Sequence, residues 1–289
     1  MLSGAGFLCR PAAKALNYRH AFHAGNFADL VKHAALLQLL VRLTAAGGPL
    51  TVIDTHAGRG VYDLAAEAAR RSGEAQAGIG RLTAAKDAPP EFDLLIERVA
   101  ALNGGGTVRR YPGSPWIIAR SLRRSDRYLA CELNADEHKA LQQNLRDRHN
   151  VQTLCADGFE VAARRAVSDR DRLLVLIDPP FERADDYARI VETAAAVLAR
   201  APAAILMVWL PLKDLATFDA FLADFRDAAG APVLVAETLV RPLVDPMKMN
   251  GCALAFVNAP GDLAAALEPI CRWTAEACGE AGEARVYTD

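Results

Sequence analysis

Leu173-Leu174-Val175-Leu176-Ile177-Asp178-Pro179-Pro180-Phe181 is the stretch that decides how this chain reads. Five consecutive apolar residues run straight into Asp-Pro-Pro-Phe. A short apolar run closed by prolines predicts a strand buried on both faces of a sheet. Proline donates no backbone N–H and cannot extend a ladder, so the chain must leave the sheet at Asp178. In open α/β sheets the carboxyl ends of the strands are where ligands bind. A carboxylate, two prolines and an aromatic ring meet there. The acid can accept hydrogen bonds from an amino group while the ring stacks on a flat base. The same tetrapeptide also fits an ordinary helix start, with Asp178 as N-cap and proline in the first turn. The rest of the chain must choose between the two.

Three further strand-like runs close on acids. Leu50 to Ile53 leads into Asp54 and then Thr55-His56-Ala57-Gly58-Arg59-Gly60. Asp126 to Leu133 carries Glu132, and Val151 to Phe159 carries Asp157. One acid at a strand end is commonplace; four argue for a ligand-binding crevice. Glu132 stands where nucleotide-binding α/β folds place a carboxylate on ribose hydroxyls. The turn at Gly58 and Gly60 lets backbone approach a ligand, but the third glycine of a dinucleotide loop is missing. The form D-x-x-x-G-x-G is typical instead of an S-adenosylmethionine site.

Composition narrows the class. The 289 residues suit one large α/β domain or one domain with an insertion, and 52% hydrophobic content supplies a sizeable core. No stretch approaches the ~20 apolar residues of a membrane span. Residues 1–16 lack the apolar segment of a secretory signal. Six scattered cysteines, with no C-x-x-C pair, suggest neither a zinc site nor a disulfide framework, and a reducing cytoplasm is expected. Cys131 and Cys155 read as core thiols. A net charge of −2 does not mark a protein that coats nucleic acid nonspecifically. Arginine pairs at Arg70-Arg71, Arg109-Arg110 and Arg123-Arg124 are read first as solvated surface.

The remaining segments order themselves around these strands. Asn17 to Asn26 is a polar-aromatic loop. Asn26 caps a helix with Asp29 in its first turn, as in a capping box with a shorter acid. That helix carries Lys32 and His33 and ends at Gly47-Gly48-Pro49. From Val61 to Tyr111 helical segments replace the expected second strand: Asp63 to Arg71, Ile79 to Ala85 and Pro90 to Leu102. They predict a helical insertion over the crevice. Arg110 to Pro115 reads as a tight turn, with Ser114 either an N-cap or a ligand contact. Helices are expected over Ala135 to Arg146 and Asp185 to Arg200, and a strand over Ala203 to Leu210. Pro211-Leu212-Lys213-Asp214 is expected to open a helix to Ala229. Val233 to Val240 and Cys252 to Asn258 predict an antiparallel pair at the sheet edge. A helix over Leu263 to Cys278 closes the chain.

Taken together, these residues resemble class I S-adenosylmethionine-dependent methyltransferases that modify exocyclic amines of bases. More narrowly, Tyr18-Arg19-His20-Ala21-Phe22-His23-Ala24-Gly25-Asn26, Asp29, Lys32-His33, Asp54-Thr55-His56-Ala57-Gly58, Tyr111-Pro112-Gly113-Ser114-Pro115, Asp157-Gly158 and Asp178-Pro179-Pro180 resemble the ribosomal RNA large subunit methyltransferase J family. The resemblance implies a Rossmann-like sheet, mostly parallel with an antiparallel edge, plus an inserted helical subdomain at 61–110. It implies a methyltransferase domain over 17–289 behind an N-terminal extension, 1–16. The implied activity is transfer of a methyl group from S-adenosylmethionine to N6 of one adenine, position 2030, in 23S ribosomal RNA. By motif, His33, His56, Ser114, Glu132, Asp157, Gly158 and Asp178 would contact the cofactor. Asp178 would also be catalytic, with Tyr18, His20 and Lys32 acting near the target base. Tyr18, Pro179 and Phe181 would hold the base. Phe181 stands where the family commonly has tyrosine, which keeps the stacking face and loses a hydroxyl. No metal, no membrane contact and a monomer are expected.

Other readings keep the same residues. The pocket also fits an adenine in DNA or a protein amide as acceptor. A noncatalytic RNA-binding assembly factor that retains the fold is a third reading, and the intact acids and complete Asp178-Pro179-Pro180-Phe181 argue against it.

Overall fold

The computed structural model describes residues 22–166, 172–245 and 248–289. Tyr18, His20 and the extension at 1–16 lie outside them. Helix α1, Phe27–Ala45, leads into β1, Leu50–Asp54. The next segment holds β2 (Val61–Asp63), α2 (Glu67–Ser72), a π turn (Gln76–Gly80), α3 (Arg81–Ala84), a 3-10 turn (Pro90–Phe92), α4 (Asp93–Leu102) and β3 (Arg110–Pro112). Alternation of strand and helix follows: α5 (Ser114–Ser121), β4 (Arg127–Cys131), α6 (Ala135–Leu145), β5 (Val151–Leu154), α7 (Gly158–Arg165), β6 (Arg172–Ile177), α8 (Asp186–Arg200), β7 (Ile205–Leu212) and α9 (Leu215–Ala229). The chain closes with β8 (Val233–Leu239), β9 (Gly251–Val257), α10 (Leu263–Cys278) and β10 (Glu283–Thr288).

Eight strands form one sheet in the order β10-β8-β9-β7-β6-β1-β4-β5. Strands β5, β4, β1, β6 and β7 pair in parallel; β9 is antiparallel to both β7 and β8, and β10 is antiparallel to β8. This is the mostly parallel sheet with an antiparallel end that the resemblance implies. Strand β6 shows why its sequence is unbroken apolar. Leu174 and Leu176 enter the core under α1, α5 and α10, while Leu173, Val175 and Ile177 enter the core under α7, α8 and α9. Successive side chains point to opposite faces, and both faces are covered. Among the described residues no helix is long and apolar enough to cross a membrane.

Four details differ from the sequence expectation. The late antiparallel pair does not form the edge: β9 inserts between β7 and β8, and the outer strand is β10, which was not anticipated. In β10 exposed Glu283 and Arg285 alternate with half-buried residues, so the segment reads locally as a tail. Strand β7 runs through Pro211 instead of stopping before it. Pairing with β6 ends at Val208, so the missing proline N–H falls where only β9 remains as neighbour. The turn expected at Arg110 to Pro115 contains β3, paired antiparallel to β2 in a separate two-stranded ribbon. Finally, α7 starts straight after Asp157, where no helix was read.

Candidate active site

The order β6-β1-β4-β5 puts Asp178, Asp54, Glu132 and Asp157 at or just past the carboxyl ends of four neighbouring parallel strands. Their side chains are not equivalent. Asp54 is fully buried. Its Oδ2 accepts the hydroxyls of Ser114 and Tyr128, both at 3.0 Å, and its Oδ1 accepts the His56 N–H at 3.3 Å. Burial pushes this carboxyl up to about 7 against those hydrogen bonds. Ser114 is therefore not an N-cap: Gly113 holds the cap position of α5, and the Ser114 hydroxyl turns inward to Asp54.

The other three acids are partly exposed. Both Glu132 oxygens take backbone donors, Oε2 from Gly58 N at 2.9 Å and Oε1 from Asn134 N at 2.7 Å. Each oxygen keeps a further lone pair for a ligand hydroxyl. Gly58 sits at φ 65°, and a Cβ there would lie 2.4 Å from the Tyr62 hydroxyl. Asp157 caps α7 through Oδ1, which accepts from Phe159 N at 3.0 Å, while Oδ2 meets Arg189 Nη2 at 2.6 Å. The Arg189 guanidinium lies over the Phe159 ring at 4.4 Å. Behind it, Gly158 packs directly on the end of β1: a Cβ would lie 1.9 Å from the Thr55 carbonyl oxygen. Only glycine permits α7 to begin so close to the strand.

His56 bridges these elements. Its Nδ1 lies 2.7 Å from Thr55 Oγ1, and its ring meets Phe159 edge-on at 4.6 Å. Thr55 donates its hydroxyl hydrogen to Leu176 O at 3.1 Å. That assigns the proton on Nδ1 to His56 and leaves Nε2 as an acceptor. Burial pushes the imidazole down to about 4, opposed by the charges of Asp178 and Asp157, so the ring is neutral at pH 7.

Asp178 opens no helix. The chain continues in irregular structure to α8, which begins only at Asp186, so the cap reading fails. Instead Asp178 Oδ2 accepts from Lys32 Nζ at 2.8 Å, across 146 positions of sequence. Lys32 also meets Asp29 Oδ1 at 3.0 Å and lies over the Trp209 ring at 5.9 Å. His33, next on α1, is buried; its Nδ1 sits 2.9 Å from the Tyr111 hydroxyl and its Nε2 3.9 Å from Asp29 Oδ1. Pro179 is buried, while Phe181 is half-buried at φ 53°. A bulky residue in that left-handed region is strained, at a cost of ~1–2 kcal/mol. The strain is offset by an aromatic corner: the Phe181 ring centroid lies 5.0 Å from Tyr187 and 5.8 Å from Trp209.

The segment between β1 and β4 reaches this centre through the start of α1. Glu74 accepts from His23 Nδ1 at 2.9 Å and from Asn26 Nδ2 at 2.9 Å. Ile79 N donates to Gly25 O at 2.8 Å, and a Cβ on Gly78 would lie 2.1 Å from that same oxygen.

Three residues were not anticipated at the centre. Trp209 forms the corner with Phe181, Arg189 holds Asp157, and Asp29 holds Lys32. Two of them had a signal in the sequence: Trp209 is an aromatic at the end of the strand following Asp178, and Asp29 lies at i−3 from Lys32 on a largely apolar helix. Chemically, the centre offers a carboxylate beside a buried ammonium, an aromatic wall, and a row of acids and a neutral imidazole along the adjacent strand ends.

The chain as a whole is similar to known proteins. A family model described as "Ribosomal RNA large subunit methyltransferase D, RlmJ" matches residues 47–288. The ribosomal RNA large subunit methyltransferase J of Haemophilus influenzae is 33% identical over 256 residues, covering 88% of this chain and 91% of the relative. Its namesake from Escherichia coli is 32% identical over 258 residues, with 89% and 92% covered. A crystal structure of a Legionella pneumophila protein superposes with a TM-score of 0.85 at 28% identity, over 92% of this chain and 98% of that one. The chain belongs to the ribosomal RNA large subunit methyltransferase J family.

Proposed function

We propose that this chain transfers a methyl group from S-adenosylmethionine to N6 of one adenine in 23S ribosomal RNA, adenine 2030, acting as a cytoplasmic monomer. The observation that carries the reading is Asp178-Pro179-Pro180-Phe181 at the end of β6, with Asp178 paired to Lys32. Family membership supports the donor and the RNA acceptor. The strand ends fit the donor. Glu132 has lone pairs for ribose hydroxyls, and Gly58 and Gly158 pack so tightly on Tyr62 and Thr55 that a Cβ at either would displace the turns that carry the proposed contacts. His33, His56, Ser114, Asp157 and Asp178 complete the proposed contacts. The indirect route for Ser114 is through Asp54, which its hydroxyl already engages.

S-adenosylmethionine supplies an electrophilic methyl group on a sulfonium. The chain supplies positioning. An adenine amino group is a poor nucleophile because its lone pair is delocalised into the ring. Asp178 and the Pro179 carbonyl accept its two N–H bonds, which favours a more tetrahedral nitrogen and aims the lone pair at the methyl. Phe181 stacks on the base, and its contact with Trp209 fixes the ring plane. The base must leave its stack to enter, at a cost of a few kcal/mol. Stacking worth ~1–3 kcal/mol offsets part of that. Lys32 sits beside Asp178, and the family resemblance assigns Tyr18 and His20, outside the described residues, to further roles toward the base. The helical segment over 61–110 acts as a unit that docks substrate beside α1.

Tritiated methyl transfer to deproteinised ribosomal RNA, DNA and protein tests the acceptor, and mapping N6-methyladenine in 23S RNA tests the position. Asp178→Ala is expected to abolish transfer with the fold intact. Near wild-type turnover by that variant, or label on DNA or protein only, would overturn the reading.

A further inference from the structure

We propose that Asp29 is a positioning residue for methyl transfer, acting through Lys32 to keep the Asp178 carboxylate available to the incoming amine. The inference rests on the proposed role of Asp178. Lys32 is enclosed, with 7% of its side chain exposed, and its ammonium is shared between two carboxylates. Asp178 lies at 2.8 Å and Asp29 at 3.0 Å, with Asp29 itself only 3% exposed. The Lys32 contact engages Oδ2 of Asp178.

The charge count gives the reason for a second acid. A buried ammonium facing one carboxylate makes a closed, neutral pair. In a low-dielectric site such a pair holds its acceptor tightly and competes with any other donor. Among the described residues, two carboxylates stand around this one ammonium and leave a net negative charge, so Asp178 retains acceptor strength for a substrate N–H. Asp29 also fixes where the ammonium stands. Its Oδ2 accepts from Gly25 N at 2.9 Å and its backbone N–H donates to the Asn26 side-chain oxygen at 3.0 Å, so one carboxylate oxygen and the main chain beneath it are both held. A capping-box glutamate would reach back to the cap residue's own N–H. The shorter aspartate bonds one residue earlier and turns Oδ1 to Lys32.

A double-mutant cycle tests this. Wild type, Asp29→Asn, Lys32→Met and the double variant are compared by single-turnover methyl transfer to whichever acceptor wild type methylates. Calorimetry with S-adenosylhomocysteine and thermal melting accompany each variant. Asparagine keeps an acceptor for the Gly25 N–H and removes the charge. Asp29→Asn is expected to lower the transfer rate about 10- to 100-fold with cofactor-product affinity unchanged. In the Lys32→Met background the same substitution is expected to have no further effect. Additive losses, a wild-type rate for Asp29→Asn, or a loss confined to cofactor binding would overturn the proposal. If Asp29→Asn does not fold, Asp29→Ser carries the same comparison. If no neutral residue at 29 gives a folded protein, Asp29 is structural and the proposal falls. Wild type that methylates no RNA would sink the functional reading instead, while the cycle stays readable on another acceptor.

Discussion

Replacing Asp54 by Asn should reverse the sign of a stability difference between acid and alkaline pH. The wild-type carboxyl is buried at the end of β1, and burial pushes it from an ordinary 3.8 up to about 7. Hydrogen bonds from Ser114 and Tyr128 oppose that rise, and the charge of Asp178 adds to it. A pKa higher in the folded state means that the folded chain holds the proton more tightly. Between pH 3.8 and about 7 the folded state therefore binds more protons than the unfolded one, and stability falls as pH rises. A difference of about 3 pH units, at about 1.4 kcal/mol per unit, gives a loss of ~4 kcal/mol across that window. Asparagine does not titrate. Its carbonyl oxygen keeps the hydroxyls of Ser114 and Tyr128, while its amide faces the His56 N–H that Oδ1 accepted at 3.3 Å. Donor against donor costs ~1–3 kcal/mol at every pH. The variant should thus be less stable than wild type near pH 4 and more stable by a similar amount near pH 8. Urea unfolding at a series of pH values measures the difference directly, and its slope is the decisive quantity. A difference that stays flat, or that turns against the variant as pH rises, would refute the argument. It would mean that the two hydroxyls hold Asp54 ionised at its ordinary pKa or below.

Gly158→Ala forces backbone on backbone, since the new Cβ would lie 1.9 Å from Thr55 O and 2.5 Å from Thr55 C. It should cost ~1–3 kcal/mol and weaken S-adenosylhomocysteine binding in calorimetry, whereas unchanged affinity would remove Gly158 from the cofactor site. Gly261→Ala, with no left-handed φ and nothing within 4 Å, is the control that reports the added methyl group alone. The hydrogen bond to Glu74 raises the His23 pKa, against burial, so this latch stabilises the fold below 6.5 and is lost as pH rises through the raised value. Glu74→Gln should therefore return the His23 NMR titration toward 6.5, and an unmoved midpoint would contradict the pairing. Phe181→Ala removes the aromatic wall but keeps a residue with the same left-handed strain. It should lower kcat/KM by the equivalent of ~1–3 kcal/mol, with cofactor-product affinity unchanged; wild-type kinetics would show that the ring does not hold the base.

The parallel half of the sheet was legible because each strand carries its own evidence. An apolar run buried on both faces has no competing local structure, and the acids that end β1, β4 and β6 mark where each run stops. The antiparallel end was less legible. β9 enters between β7 and β8 because it pairs with both, and no residue within Gly251–Val257 states that preference. α7 was missed for a related reason. Asp157 looked like the close of a strand, yet its Oδ1 accepts Phe159 N and makes it the cap of a helix. Acid and cap are two oxygens of one carboxylate used in two directions, and only the contact of Oδ2 with Arg189 shows that both are in use.

Helix α1 holds the part of the site that a local reading cannot reach. Asp29, Lys32 and His33 fall at i, i+3 and i+4, so they share one face. On a surface helix that face would be solvated. Here all three are buried, and so are the leucines on the opposite side. A helix apolar nearly all round has no solvent face to give its charges, so charges in its first turns must find partners inside the protein. The partners come from elsewhere: Asp178 from β6, Tyr111 from β3, Gly25 from the preceding turn. Asp178 is thus set by two requirements at once. The sheet delivers it to the crevice, and α1 holds a cation at its Oδ2. An Asp-Pro-Pro-Phe loop alone supplies the first; the spacing of Asp29, Lys32 and His33 on an otherwise apolar helix supplies the second. Substitutions that expose the first turn of α1 should therefore impair methyl transfer even where every strand-end acid is intact.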